Sequence, residues 1–487
     1  MLEEILLDEP AKAKSKIYKH ILEIDSGEYP IHYFEKVTGF SHIKTANLLQ
    51  GINKELKEID ESCSLLNAKE KVVIVKKMPS HQKYQQLLFA KGVPYRVILT
   101  SLLEPEVDLR EFGEQTGLSQ SSLMRRLKPL VEYLKTKDIR LNCLQMEITG
   151  RESAIRLMYF NFLWSVDFGT RLYDYFIDTL GRSLDSFMVP EDLVYLKYVE
   201  KREFSMYHAL SFLRTKQECY VDEPQINRLT YPTTTNNKFK QVLEAEGVPE
   251  TYREREANFI NFMIFYWPQY FAFDDPRLTL VKRQYRNLTE TKEQAHLLAS
   301  RIQDQLFLTN KGQQELFLIN LQTIFARWRL FGSKIPRNLD FIMERLKEHD
   351  PEFNFFFDRV MQALKGIADE EEDLASTLTI ACLNAYHSGT TAEKLKIGII
   401  GFPNHFLLYA MINRIDSLPF VEFSLMSTAS EEHFDAVITC STELLPANVK
   451  AYWVVEGVAS FDAMENFLFQ LYKEKSNRTS ESLVEVL

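Results

Sequence analysis

The stretch VDLREFGEQTGLSQSSLMRRLKPLVEYL, Val107 to Leu134, reads as a short helix ending at Thr116, a turn at Gly117 and a longer helix capped by Ser119. Gly117 can take positive φ, which a tight turn between crossed helices requires. Beyond it Leu123, Leu127, Leu130 and Leu134 recur at i, i+4, i+7 and i+11 and form one apolar stripe. The other faces present Ser119, Gln120, Ser121, Ser122, Arg125, Arg126 and Lys128. These hydrogen-bonding and cationic groups suit base edges and phosphates, so the pair predicts a helix-turn-helix that meets double-stranded DNA.

Downstream, DIRLNCLQMEITG places Ile139 and Leu141, then Leu144, Met146 and Ile148, on either side of a turn at Asn142-Cys143. That alternation predicts the two-stranded wing of a winged helix; a plain αα-hairpin is the alternative. Upstream, PIHYFEKVTGFSHIKTANLLQGINKEL (Pro30 to Leu56) repeats the grammar, with Thr38-Gly39-Phe40-Ser41 at the turn. Leu49, Ile52 and Leu56 carry the stripe, while Ser41, His42, Lys44, Thr45 and Asn47 are expected to face outward. CSLLNAKEKVVIVKK then predicts a strand, a polar turn from Asn67 to Lys71 and a second strand ending in Lys76 and Lys77, placed to touch a phosphate or minor groove. One such turn is weak, but two copies with wings within 150 residues imply a long DNA contact.

The rest of the chain is consistent with this. At 487 residues it exceeds one hydrophobic core, and 45% hydrophobic with 26% charged residues is ordinary for a folded chain. The net charge of -10 argues against bulk attraction to nucleic acid. Yet residues 1–150 hold 22 Lys and Arg against 21 Asp and Glu, leaving 36 against 47 for the remainder. A near-neutral head can meet phosphates while an acidic body stays off them. Glu3, Glu4, Asp8 and Glu9 replace the basic segment of a secretory signal, and a cytoplasmic location is expected. The most apolar stretch, NFINFMIFYWPQYFAF from Asn258 to Phe273, is interrupted and shorter than the ~20 residues of a bilayer span, so it reads as a buried helix end and no membrane partner is expected. Cys63, Cys143, Cys219, Cys382 and Cys440 are isolated, without zinc-ligand spacing; no metal or cofactor is expected.

Period 3.6 dominates to about Ala392, after which strand-type runs appear, so the chain reads as mainly α and multidomain. Borders fall near Met78-Pro79, Ser165, Arg283 and Thr390, giving domains at 1–78, 79–165, 166–283, 284–391 and 392–487. The third and fourth read as all-helical bundles and the last as an α/β layer, with strands in VEFSL, DAVITC and AYWVV and a final helix from about Asp462 to Lys473. The DEEED run, Asp369 to Asp373, reads as a solvated helix start. P-loop, GxSxG and HExxH motifs are absent, so no enzyme is expected.

The paired VTGFSHIKTANLLQGINKEL and QTGLSQSSLMRRLKPL units, with ITGRESAIRLMYF (Ile148 to Phe160) behind the second wing, resemble the Mga family of Gram-positive transcription regulators, relatives of the anthrax toxin activator AtxA. The resemblance implies two helical domains regulated by the phosphotransferase system (PRDs) and a C-terminal module like the enzyme IIB component of sugar transport. It further implies an activator that binds DNA through both winged helices and forms a homodimer through the C-terminal domain and PRDs. Histidines in such domains accept phosphate from a phosphotransferase-system phosphocarrier protein; here the candidates are His208, His387 and, behind them, His296. The chain has no second histidine near His208 of the kind some members carry. An imidazole must be neutral and exposed to attack phosphorus, and the product adds about two negative charges. The IIB-like turn, GFPNHF, has no phospho-accepting cysteine, which makes a docking or dimerisation surface of the module; His405 is the remaining stand-in. Two other readings stay open. An antiterminator with PRDs would carry a small β-rich RNA-binding head, and a phosphate-relay component would need the missing cysteine.

Overall fold

The computed structural model describes residues 2–67, 71–74, 78–183, 198–222, 229, 231, 233–267, 269–270, 275–285, 289–302, 306, 311–332, 334–389, 394–400, 405–416, 418, 420–426, 434–442, 445, 449, 451–455 and 461–484. The first unit comprises α1 (Leu2–Leu6), α2 (Glu9–Glu23), β1 (Gly27–Tyr29), α3 (Ile31–Thr38), α4 (His42–Ile59) and β2 (Val72–Ile74). The second comprises α5 (His81–Lys91), α6 (Val93–Leu103), α7 (Leu109–Thr116), α8 (Gln120–Thr136), β3 (Arg140–Asn142) and β4 (Glu147–Thr149), and leads into α9 (Glu152–Asp167). Side chains set the helix starts: Asp8, Ser80, Asp108 and Ser119 each accept a backbone N–H of the first turn that the helix itself leaves unpaired.

The helical middle runs through α10 (Thr170–Asp178), α11 (Tyr198–Lys216), α12 (Thr233–Ala245), α13 (Glu250–Phe265), α14 (Arg277–Tyr285), α15 (Thr289–Ile302), α16 (Lys311–Phe331), α17 (Met343–His349), α18 (Pro351–Ala363) and α19 (Glu372–Gly389). The chain ends in β5 (Leu395–Ile400), α20 (His405–Asp416), β6 (Val421–Leu425), β7 (Ala436–Thr439), β8 (Tyr452–Val454) and α21 (Phe461–Val484). Its sheet is parallel throughout, ordered β6-β5-β7-β8, with Ile397 in register with Phe423 on one side and Ala436 on the other. The chain is thus mainly helical with a small C-terminal parallel sheet. The Gly401 to Asn404 turn and the side chain of His405 lie outside the described residues.

Apolar side chains bury into two continuous cores. One runs from Ile5 to Ile335 and joins both N-terminal units to α9, α11 and α13; the other, from Ala295 to Tyr472, joins α15, α16, α18 and α19 to the sheet. The borders expected near Ser165 and Arg283 lie two residues before the ends of α9 and α14. The α1 helix, assigned to the first unit by sequence position, packs against α6 and α8 of the second. Within the first core the fully buried Arg156 of α9 donates to Glu256 of α13 at 2.6 and 2.9 Å, to Glu152 at 2.9 Å and to Ser211 of α11 at 3.0 Å. Removing either member of such a pair strands the other charge in the interior, a cost of about 3–5 kcal/mol. Residues Asn258 to Phe265 are all buried at the end of α13, in keeping with a buried helix end. Among the described residues no helix is long and apolar enough to cross a membrane.

Candidate nucleic-acid interface

The second turn is built as its sequence dictates. The Gly117 backbone has φ 67° and its N–H donates to the Gly113 carbonyl, the left-handed helix end that a Cβ disfavours. The Thr116 hydroxyl donates to the Phe112 carbonyl at 2.8 Å, and Ser119 accepts from the Ser122 N–H at 3.4 Å to open α8. Leu123, Leu127, Leu130 and Leu134 are fully buried, so the stripe seats α8 and fixes which side chains point away. Ser119, Gln120, Ser121, Arg125 and Lys128 are exposed, whereas Ser122 and Arg126 are half-buried. Lys128 lies 3.7 Å from Glu132 on the open helix face, an arrangement too solvated to hold it from a phosphate. Arg126 is different: its Nη1 is 2.8 Å from the Asp8 carboxylate.

In the first unit Gly39, at φ 69°, closes α3 by donating to the Glu35 carbonyl at 2.8 Å. Ser41 is exposed but makes no side-chain cap. His42 Nδ1 lies 2.5 Å from Glu35 Oε1, and Lys44 Nζ sits 3.5 Å from the Phe40 ring centroid, so both bases are oriented at the start of α4. Asn47 is exposed.

Thr45 does not face outward. It is fully buried, and its hydroxyl finds no hydrogen-bond partner among the described residues. The reason is register: Thr45 follows Ser41 by four residues, as Leu123 follows Ser119, and so continues the stripe of Leu49, Ile52 and Leu56. The same alignment sets Gln50 opposite Lys128, an exposed polar position that the residue-by-residue reading missed. Two exposed apolar side chains were missed as well, Ile43 and Met124, 74% and 43% exposed on the two second helices. Apolar groups at such sites can meet a thymine methyl.

The wings differ from expectation in detail. In the second, Leu141 pairs with Ile148 and Arg140 with Thr149, but Leu144 belongs to the turn and is 59% exposed, and Met146 adopts φ 50°, so the return strand starts only at Glu147. In the first, β2 takes β1 as its ladder partner, Tyr29 opposite Val72, and the expected hairpin is reduced to the Leu66–Val72 bridge. Lys76, Lys77 and part of the polar turn lie outside the described residues.

At its far end α8 is bolted to the helical body. Lys137 Nζ lies 2.9 Å from Asp340 and 3.0 Å from Asp373, Tyr133 donates to Asp340 at 3.3 Å, and Arg337 bridges the same two carboxylates at 2.8 and 2.7 Å. Asp373, read as part of a solvated helix start, is therefore an anchor of the recognition unit.

The candidate phospho-acceptors are dispersed. His208 is 2% exposed within the first core, its ring centroid 6.2 Å from Phe204 and 6.1 Å from Phe239, and burial lowers its pKa to about 4. It is neutral, but it lacks the exposure that phosphoryl transfer needs, because distant Phe239 closes over the face that the α11 sequence alone leaves open. His387, 45% exposed at the end of α19, has Nε2 3.2 Å from Glu352, whose hydrogen bond raises its pKa. His296 is exposed on α15. Among the described residues no group of three His, Cys, Asp or Glu side chains could hold a metal, and none of the five cysteines is in a disulfide.

No curated protein matches the chain. Residues 79–163 match the family model described as the Mga helix-turn-helix domain, a span that covers the second unit from its entry to the body of α9. With the Gly117 turn and the exposed face of α8 inside that match, the second unit is similar to the Mga helix-turn-helix domain, which supports membership of the Mga/AtxA-type family and a DNA-binding transcription regulator.

Proposed function

We propose that this protein is a cytoplasmic transcription activator that binds promoter DNA as a homodimer, with α8 and α4 each in a major groove. The observation that carries this reading is the α8 surface, where Gln120, Ser121, Arg125 and Lys128 stand exposed beside a buried leucine stripe. Ser41, His42, Lys44 and Asn47 supply the second contact, and Arg126 joins once it leaves Asp8. The phosphotransferase-system phosphocarrier protein acts on His387 and His296, which unlike His208 are open to solvent, and the added charge tunes dimerisation.

The test is an Arg125→Ala/Arg126→Ala variant, checked for folding by circular dichroism. Its retention of random genomic duplex in a mobility-shift assay should fall about tenfold or more at moderate salt. Unchanged retention, or displacement by hairpin RNA at lower concentration than by duplex, sinks the reading. Asp substitutions at His296 and His387 should shift the sedimentation profile; identical profiles remove the regulatory part alone.

A further inference from the structure

Between α9, α11, α13, α16 and α19 lies a cavity of about 380 Å³ that the DNA reading does not use. Phe160, Tyr207, Trp267 and Trp328 give it aromatic walls, with Phe160 and Tyr207 stacked at 4.1 Å. Into this apolar chamber α11 brings the carboxylate of Glu203 and α16 the guanidinium of Arg327. Arg327 is fixed in place: Nη1 donates to the Trp267 carbonyl at 2.6 Å, and the guanidinium carbon lies 5.3 Å from the Trp267 ring. Both charges bear on one phenol. Burial raises the pKa of Tyr207, Glu203 adds to that rise and Arg327 opposes it.

Apolar pockets with a few convergent polar groups are the common form of a small-molecule site, and the volume lies at the small end of their range of roughly 300–1,000 Å³. It suits a compact metabolite better than a nucleotide. An aromatic chamber whose wall carries the fixed cation of Arg327 and the anion of Glu203 complements a zwitterion with a bulky apolar part. We propose that this cavity binds a free α-amino acid with a large apolar or aromatic side chain. Arg327 receives the carboxylate, Glu203 the ammonium, and the aromatic walls take the side chain. Arg337 and Asp373 also line the cavity, and these same side chains hold Lys137 at the end of α8. The ligand therefore sits one layer of side chains away from the recognition helix.

The experiment is calorimetric titration of the full chain with L-phenylalanine, L-tryptophan and L-leucine, alongside 3-phenylpropionate, which lacks the ammonium, and phenethylamine, which lacks the carboxylate. At least one amino acid should bind saturably at one site. The two analogues, and the same amino acid on Arg327→Gln or Glu203→Gln, should bind about tenfold or more weakly. The proposal is overturned if no amino acid binds at millimolar concentration, if either analogue binds as tightly as L-phenylalanine, or if both folded variants bind unchanged. Should a variant fail to fold, the analogues on the unaltered protein decide. None of these readouts involves DNA, so they stand or fall separately from the proposed function.

Discussion

Arg126 of α8 and Asp8, the N-cap of α2, form an ion pair at 2.8 Å that ties the second recognition helix to the start of the first unit. Both side chains are about one-third exposed, Arg126 at 33% and Asp8 at 30%, so the pair is open to competition from a phosphate. Asp8 also accepts from the Ala11 N–H at 3.0 Å, which makes Asp8→Asn the informative change: asparagine keeps a cap oxygen and drops the charge. Duplex affinity should rise about three- to tenfold at low salt, and the slope of log affinity against log salt should steepen by about one. Fluorescence anisotropy over a salt series measures both. An unchanged slope would show that Arg126 does not reach DNA.

Thr45 offers a test of the α4 register. A buried hydroxyl without a partner carries its desolvation cost uncompensated, whereas valine has nearly the same shape and no polar atom. Thr45→Val should stabilise the protein by about 1 kcal/mol in urea titration and leave duplex affinity unchanged. Were Thr45 on the outer face, the same change would weaken binding and add nothing to stability.

Much of this arrangement was written locally and some of it was not. The α8 stripe, the two glycine turns and the strand-helix alternation from Leu395 onward follow from residue periods within one element, so they were legible. Thr45 misled because its residue type is polar while its position is apolar, and only alignment of Ser41 with Ser119 exposes the conflict. The β1 strand escaped because three residues, Gly27 to Tyr29, are too few to show alternation. Asp373 and His208 owe their surroundings to Lys137 and Phe239, contacts that no spacing within their own helices records.

The Lys137 anchor should be worth far more than its surface counterpart. Lys137 and Asp340 are 8% and 5% exposed, so Lys137→Met leaves two carboxylates to share Arg337 in a poorly solvated site. A loss of about 2–4 kcal/mol is expected. Lys128→Met, which breaks only the open pair with Glu132, should change stability by less than about 0.5 kcal/mol. Urea midpoints of the two variants at pH 7 give the comparison; equal losses would refute the anchoring role.

The burial of His208 carries a pH signature of defined sign. Its pKa in the folded chain is about 4, below the ordinary value near 6.5, because desolvation penalises the imidazolium among Phe204 and Phe239. Between these values the unfolded chain binds a proton that the folded chain refuses, so stability falls as pH drops from about 6.5 toward 4 and levels off below. The full effect is about 3 kcal/mol, and about 2 kcal/mol of it should appear by pH 5. Glu246 works the other way: burial raises its folded pKa to about 7, so it favours the folded state as pH falls through that value. The raw profile therefore mixes both signs, and the difference between the unaltered protein and His208→Leu isolates the histidine. That difference in urea midpoint should widen in favour of the variant between pH 7 and pH 5. Parallel profiles would mean that His208 is reached by water, which would restore it as an acceptor of phosphate.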